Sequence, residues 1–546
     1  MKRTLGLTAL LALLAGSAFG AVIDVPDDYT YIHDAVQACP AGDTVMVAAG
    51  TYGDCTHPTE GEGSTPACVI MKSGVTLRGA GATPLDTVLD VDGLGIGIFV
   101  EYVDNCRIEN LQVTDAFAEV YGAGILVRHV GATVEISDVN ILANLDGGII
   151  CINEASPTIT RTYFDGNVAK QGGGLAIEEN SSPVVSDCEF HDNEAPSGAG
   201  IFIRQNSNAT ITGCDFFGNT INYDYGAGGG IAVWSSSPSI SDCHIEGNTA
   251  PGYGAGIAFL DQSSGTLSHC VITGNFLPSP GIGGAGIHTN QSNPYIEHCL
   301  ITDNVVTATW GEGGGADIEF SPAPTLVNCT FSNNTTGPNG LASGISFQFG
   351  GDAVIENCIV VNGGTGGVDV GALYCLAATP TISCTNVWNN LGGNDLCGTD
   401  GGNNFSQDPL FCGLEGIEFN VENDSPCAPD NSPCGSLVGS NPAGCTVDAP
   451  EIPALAARLL GNAPNPFNPK TRIFFELDEP GIADLRIYDV TGRTVDLLNL
   501  GSVDAGRHEV VWDGVDRFGN TLSSGVYFYE LDALGTKQAR RMILIK

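Results

Sequence analysis

Three residues have the types and spacing for joint acid–base chemistry: His288, Asp317 and Glu319. Asp317 and Glu319 stand two apart in "ADIEF". A strand puts such residues on one face, roughly 6.5–7 Å apart. That is the low end of the separation an inverting pair of carboxyl groups needs around a glycosidic bond and a water. His288, in "GIHTN", could orient one of the pair or act as a base. Trp310 and Glu312 lie in the stretch just before. The same oxygens of Asp317 and Glu319 could instead hold calcium, the one cofactor the residues suggest. A third reading is a solvated acidic face, since the chain carries 62 carboxylates from which chance pairs arise.

Two other constellations stand out. Arg204 and Trp234 occupy equivalent places in successive segments; with Trp310 they could hold carbohydrate, because an indole stacks on a sugar ring and a guanidinium stacks on indole. The plainer alternative is a surface pair that covers apolar area. His269 and His298 also occupy equivalent places and could touch a metal, but two imidazoles without a third ligand make a weak site. Solvated corner residues account for them as well.

The elements that position these residues follow from a repeat. Cys188, Cys214, Cys243, Cys270, Cys299, Cys329 and Cys358 are spaced by 26, 29, 27, 29, 30 and 29 residues. A steady period of this size signals a solenoid. Apolar columns lie three before each Cys (Val185, Ile211, Ile240) and two after it (Phe190, Phe216, Ile245). The second is period-two alternation, the mark of a strand with one face buried; the first breaks that alternation, so a corner is expected before the Cys. A second strand precedes each Cys segment, as in "GIAVWSS" and "GIAFLDQ". Helical periodicity is absent. Short strands, Gly-rich corners and identical residues in register predict an all-β parallel β-helix with rungs about 4.8 Å apart. Cys then packs as a small apolar side chain in an interior column. Asn167, Asn193, Asn219, Asn248, Asn275, Asn304 and Asn334 form an amide ladder at a corner, with the left-handed backbone that Asn tolerates. The runs Gly172–Gly174, Gly228–Gly230 and Gly313–Gly315 serve other tight corners. On the second strand set, two outward lines are expected. One includes Ala258, His288, Asp317 and Ser346; the other includes Arg204, Trp234, Asn290, Glu319 and Gln348.

Composition sets limits. The 546 residues suit two or three domains. Net charge is −42, which repels nucleic acid, anionic membrane surfaces and, without bridging calcium, polyuronates. No Lys or Arg occurs between Gln205 and Ala457, whereas 11 of the 20 lie from Arg458 onward, so a domain boundary falls near residue 450. Lys2 and Arg3 followed by "LGLTALLALLAG" and small Ala18 and Gly20 predict a signal peptide over residues 1–20. No later stretch is long and apolar enough for a membrane span.

The stretch "IDVPDDYTYIHDAVQACPAGDTVMVAAGTYGD" (23–54) matches the entry of a known group. Ile32, Ala35, Val36 and Cys39 have the spacing of a short capping helix, "GDTVMVAAGTY" reads as the first rung, and "SGVTLRGAG" follows it. In this the chain resembles secreted bacterial proteins with a right-handed, pectate-lyase-like parallel β-helix. The stretch 408–445 resembles the Cys-rich closing segment of that group. The resemblance implies disulfides among Cys397, Cys412, Cys427, Cys434 and Cys445, with Cys55–Cys68 as a second pair. The end of the chain contains "NPFNP", "IYDVTGR", "WDGVDRFGN" and "SGVYFYEL" in alternating strands that predict a small β-sandwich. It resembles the Ig-like module of the flagellar hook-capping protein and the C-terminal sorting domains of type IX secretion cargo. That implies a bacterial protein, secreted or held at the cell surface, with outer-membrane secretion machinery as a partner. Pectate-lyase-like enzymes would imply an Arg or Lys base beside calcium-bound substrate. The coil's Arg204, Arg161, Arg128, Arg107, Lys170, Arg78 and Lys72 stand in no matching motif. The Asn-Thr-Asp and Arg-Ile-Lys signatures of polygalacturonase-type hydrolases are also missing.

The sequence therefore predicts a signal peptide (1–20), a right-handed parallel β-helix (21–445), a linker (446–460) and an Ig-like sorting or anchoring domain (461–546). The expected function is a surface-displayed scaffold that binds carbohydrate or mediates adhesion, with extracellular polysaccharide as partner and neither nucleic acid nor a membrane span involved. The alternative is a polysaccharide hydrolase or lyase built on His288, Asp317 and Glu319.

Overall fold

The computed structural model describes residues 21–59, 65–118, 122–278, 283–308, 311–350, 353–365, 371–413, 418–445, 457–463, 469–477, 479–489, 494–517, 521–523, 525–534 and 536–544. The expected signal peptide and Trp310 lie outside these. The chain divides into two compact units, Met1–Cys445 and Thr446–Lys546.

In the first unit each turn of chain passes through three short strands, and successive turns stack into three long sheets of 15, 13 and 13 strands among the described residues. The turn around Cys243 shows the plan. Ser239–Ser241 belongs to the first sheet, His244–Glu246 to the second and Ile257–Leu260 to the third. Apart from an antiparallel pair at the start of the third sheet (His57–Pro58 with Pro66–Ile70) and a register shift at the end of the first, pairing is parallel and in register, as in Ile211↔Ile240↔Leu267, Phe216↔Ile245↔Ile272 and Ile203↔Val233↔Phe259. Identical residues thereby stack into columns. Inside the coil, the rings of Phe164, Phe190 and Phe216 lie parallel, with centroids 4.5 and 4.8 Å apart. The Cys column is buried and unpaired.

The corner before each Cys is a single left-handed residue, such as Asp187 (φ 53°), Asp242 (φ 54°) or His269 (φ 53°). This accounts for the broken alternation. The Asn ladder is present: Asn219 Nδ2 donates to Asn248 Oδ1 (2.9 Å), and Asn248 Nδ2 to Asn275 Oδ1 (3.0 Å). The left-handed backbone expected of these Asn residues belongs instead to the residue before each, such as Asp192 (φ 48°) or Gly218 (φ 67°). That residue makes the bend, and the Asn side chain is left free to point inward and bond. A second ladder runs through buried serines at the corner after the third sheet: Ser181 N–H donates to Ser207 Oγ and Ser207 N–H to Ser236 Oγ, both at 3.2 Å.

The helix Ile32–Ala38 buries Ile32, Ala35 and Val36 against the first turns. The coil begins earlier than the expected first rung, because Val22–Val25 pairs with Thr44–Val47. At the other end, the closing segment folds back on the second sheet. Val421, Cys427, Ala428 and Val438 pack there on Ile359 and Val361. Disulfides join Cys55–Cys68, Cys375–Cys397, Cys384–Cys434 and Cys412–Cys445. Cys427, expected among the bonded cysteines, is a free buried thiol that accepts from Asn386 Nδ2. Its place in the bonded set goes to Cys375 and Cys384, which the coil itself supplies.

The second unit has a three-stranded and a four-stranded antiparallel sheet. Their shared core includes Phe475, Leu485, Trp512 and Tyr529. Its first strand, Ala457–Ala463, begins within the stretch expected to be linker. Among the described residues no helix is long and apolar enough to cross a membrane.

Candidate functional site

On each third-sheet strand the first and third residues point into the core, and the second and fourth point away from it. The second-position column is Ala176, Phe202, Ala232, Ala258, His288, Asp317 and Ser346. The sequence reading placed it on an open outer face, yet every member is buried. The cause lies in the glycines that precede each strand. They are not only corners: the chain folds back over the strand it is about to enter. Gly254 (φ +56°) lies on Ala258, so that a methyl group on it would sit 2.9 Å from the Ala258 Cβ. Gly172, Gly198 and Gly228 cover Ala176, Phe202 and Ala232 in the same way. Where the column changes from Ala to His288 and Asp317, polar groups are sealed beneath this cover.

Register brings the cluster together. His288 pairs with Asp317 and Asp317 with Ser346; one step along, Asn290, Glu319 and Gln348 are aligned. His288 Nδ1 lies 3.0 Å from Asp317 Oδ2, and both side chains are fully buried. Gln348 Nε2 donates to Asp317 Oδ1 (3.2 Å), and Asn290 Nδ2 donates to Glu319 Oε2 (2.8 Å). The Tyr253 ring covers the imidazole, with centroids 4.8 Å apart. Glu312, half-buried, shares a hydrogen bond with the Asp317 carboxyl. One ligand atom from each of His288, Asp317 and Glu319 lies within 4.8 Å of the others. The two carboxyl groups are held from the rungs on either side, Asp317 by Gln348 and Glu319 by Asn290.

Burial and like charge set the protonation here. Burial lowers the His288 pKa to about 4, against the pull of Glu319 and Glu312, so the imidazole is neutral at neutral pH. Burial first, and then the Asp317 charge, pushes the Glu312 carboxyl up to about 9. Burial also pushes Asp317 upward. Two carboxyl groups this close and this dry do not both ionise.

The other candidate residues are dispersed. Arg204 and Trp234 are register partners, but the guanidinium turns away from the indole. It bonds Glu178 at 2.6 Å and lies over the Phe202 ring. Trp234 is left 37 % exposed. His269 and His298 stack with centroids 5.1 Å apart, each in a left-handed corner.

Residues that the sequence reading did not single out line the edge beside Trp234. The residue after most third-sheet strands turns the corner with positive φ, and several are bulky: Tyr102, His129, Phe320 and Phe349. Bulky side chains seldom take this backbone. Phe320 and Phe349 stack at 5.2 Å between centroids, and each is 47 % exposed. Tyr102 stacks on His129 at 4.6 Å. Between these ends runs a cleft of about 410 Å³ lined by corner residues including His129, Glu154, Glu179 and Gln205.

Three parallel sheets wound into one coil, with side chains offered in fixed rows, define a β-solenoid. A right-handed beta helix region matches residues 73–250 and 229–408, and the chain belongs to this family. A FlgD Ig-like domain matches residues 463–537. No curated protein matches the sequence. Among solved structures, the chain is similar to the A-module of the mannuronan C-5 epimerase AlgE4 from Azotobacter vinelandii, at 17 % identity over 72 % of this chain and 97 % of that one, with a TM-score of 0.40. It is similar to pectate lyase Pel9A at 13 % identity over 76 % and 91 %, with a TM-score of 0.32. A match to dimeric latent PorU from Porphyromonas gingivalis has 23 % identity and a TM-score of 0.15. It covers 16 % of this chain and spans only 9 % of that one.

Proposed function

We propose that this is an exported β-helix scaffold that binds an extended, neutral polysaccharide along the outer edge of its third sheet. The supporting observation is the row of corners from Tyr102 to Phe349. Ten successive rungs at about 4.8 Å make a track roughly 40 Å long, which suits a polymer better than a single sugar. Exposed rings at Tyr102, Trp234, Phe320 and Phe349 offer faces for pyranose C–H surfaces. The amides and carboxylates of the cleft between them offer hydrogen-bond partners for hydroxyls. The two cations on this edge, Arg128 and Arg204, are paired with Glu101 and Glu178, which leaves no surplus positive charge for a polyuronate. The C-terminal module, on this reading, carries the chain across the outer membrane and displays it at the surface.

Affinity electrophoresis of the full chain through gels containing neutral or acidic polysaccharides tests the reading. Retardation by a neutral polymer is expected, lost in Trp234→Ala and in the double variant Phe320→Ala/Phe349→Ala. Equal mobility in every gel would sink it. The rival reading, a polysaccharide-degrading enzyme, has less support. His288 and Asp317 have no exposed surface with which to touch a sugar; only Glu312 and Glu319 reach the outside. New reducing ends in the same panel, abolished by Glu319→Gln, would favour the enzyme.

A further inference from the structure

The cluster around His288 is short of positive charge. Glu312, Asp317 and Glu319 converge on one small volume, and the sequence has no Lys or Arg anywhere from residue 205 to 457. The polar groups around it are partly unsatisfied as well. His288 Nε2 is buried and has no hydrogen-bond partner. A native interior seldom leaves such atoms bare. Elsewhere the same column is filled by Ala232 and Ala258, so the fold itself does not call for polar groups here.

We propose that His288, Asp317 and Glu319 bind one divalent transition-metal ion, zinc by donor chemistry, with Glu312 beside them as a further carboxylate. One imidazole nitrogen with carboxylate oxygens is a mixed donor set. Calcium takes oxygen ligands alone, whereas imidazole suits zinc and its neighbours. Zinc bonds of about 2.0–2.2 Å space tetrahedral ligands roughly 3.4 Å apart. The three ligand atoms, within 4.8 Å of each other, need to close by little more than an ångström. Supporting bonds are in place, since Gln348 holds Asp317 and Asn290 holds Glu319. Such outer partners fix ligand orientation in metal sites. Half-buried Glu312 and Glu319 give the ion a way in from the surface. The inference stands apart from the carbohydrate reading: a protein that binds no glycan can still hold the metal.

The test uses the full chain, stripped with a chelator and titrated with zinc. Metal content is read after desalting, and cobalt is substituted to read the visible absorption of an N/O-ligated ion. One equivalent is expected, and Glu319→Gln should weaken it about tenfold or more. Glu319 is half-exposed and Gln keeps its shape, so the variant should fold. Calcium in large excess should not displace the zinc. Failure to bind one equivalent, binding that Glu319→Gln leaves unchanged, or displacement by calcium would each overturn the proposal. The wild-type titration and the calcium competition decide it even without the variant.

Discussion

Asp317 Oδ2 and His288 Nδ1 stand 3.0 Å apart on adjacent rungs, both wholly buried, in a column that the two preceding rungs fill with Ala232 and Ala258. Removing one partner strands the other without solvent. In chelator, His288→Ala or Asp317→Ala should each destabilise by about 1–3 kcal/mol. The double variant should cost less than the sum, because two alanines extend the column already formed by Ala232 and Ala258. A double-mutant cycle on denaturant midpoints should show coupling of about 1 kcal/mol or more. Additive costs would mean that the pair is not a unit.

The Asn ladder gives a second prediction. Asn248 Oδ1 accepts from both the N–H and Nδ2 of Asn219, while its own Nδ2 donates to Phe216 O and Asn275 Oδ1. Asn248→Ala therefore strands donors on one side and acceptors on the other, all buried. A loss of about 3 kcal/mol is expected, read as a lower denaturation midpoint with exchange-labile amides at residues 216–221 and 245–249. Wild-type protection at those amides would show that the ladder follows the fold and does not support it.

Much of this was legible in the sequence, because a parallel β-helix writes its columns into the chain. Cys214, Cys243 and Cys270 announce the interior stack, and the apolar residue three before each marks the corner. Spacing along the chain carries no information where the third dimension adds a layer. Period-two alternation places His288 and Asp317 outward, correctly; it carries no sign that Gly284 and Gly313 fold back over them. The serine ladder is readable, since Ser181, Ser207 and Ser236 recur with the period, but the neighbouring Ser182, Ser235 and Ser237 obscure which serine belongs to it. Tyr253 belongs to no repeating column, so nothing in the spacing ties it to His288. The partners of Cys397 and Cys434 were missed because Cys375 and Cys384 lie in rungs that look like any other.

The glycine cover gives a third prediction. Gly254 (φ +56°) and Gly93 (φ +70°) share a left-handed backbone, but a methyl on Gly93 meets nothing within 4 Å, whereas one on Gly254 runs into Ile257 O and Ala258 Cβ. Gly93→Ala should cost only the backbone strain, about 1–2 kcal/mol. Gly254→Ala should cost more by the clash, about another 1–3 kcal/mol. Equal costs in urea titrations would mean that the fold-back yields to a methyl group, and that the cover over Ala258 and His288 is loose.

The disulfides give the last. Among the described residues of the coil none lies between Cys68 and Cys375, so the middle rungs are held by ladders and packing alone. The closing segment differs. It is tied by Cys384–Cys434, with a sequence separation of 50, and by Cys412–Cys445, with one of 33. It also bonds the coil directly: Asn328 Nδ2 donates to Leu437 O (2.8 Å), and Ser440 N–H to Thr330 Oγ1 (2.9 Å). Loop closure assigns the longer link about 4 kcal/mol. In a stacked structure that loss is local, because each rung contacts only its neighbours. Cys384→Ser/Cys434→Ser should therefore raise amide exchange across residues 418–445 and around Ile359 and Val361, which the segment covers. Exchange in the rungs from 140 to 300 should stay as in the wild type. Exchange rising evenly along the coil would instead mean that the cap and the rungs unfold as one cooperative unit, with the closing disulfides holding all of it.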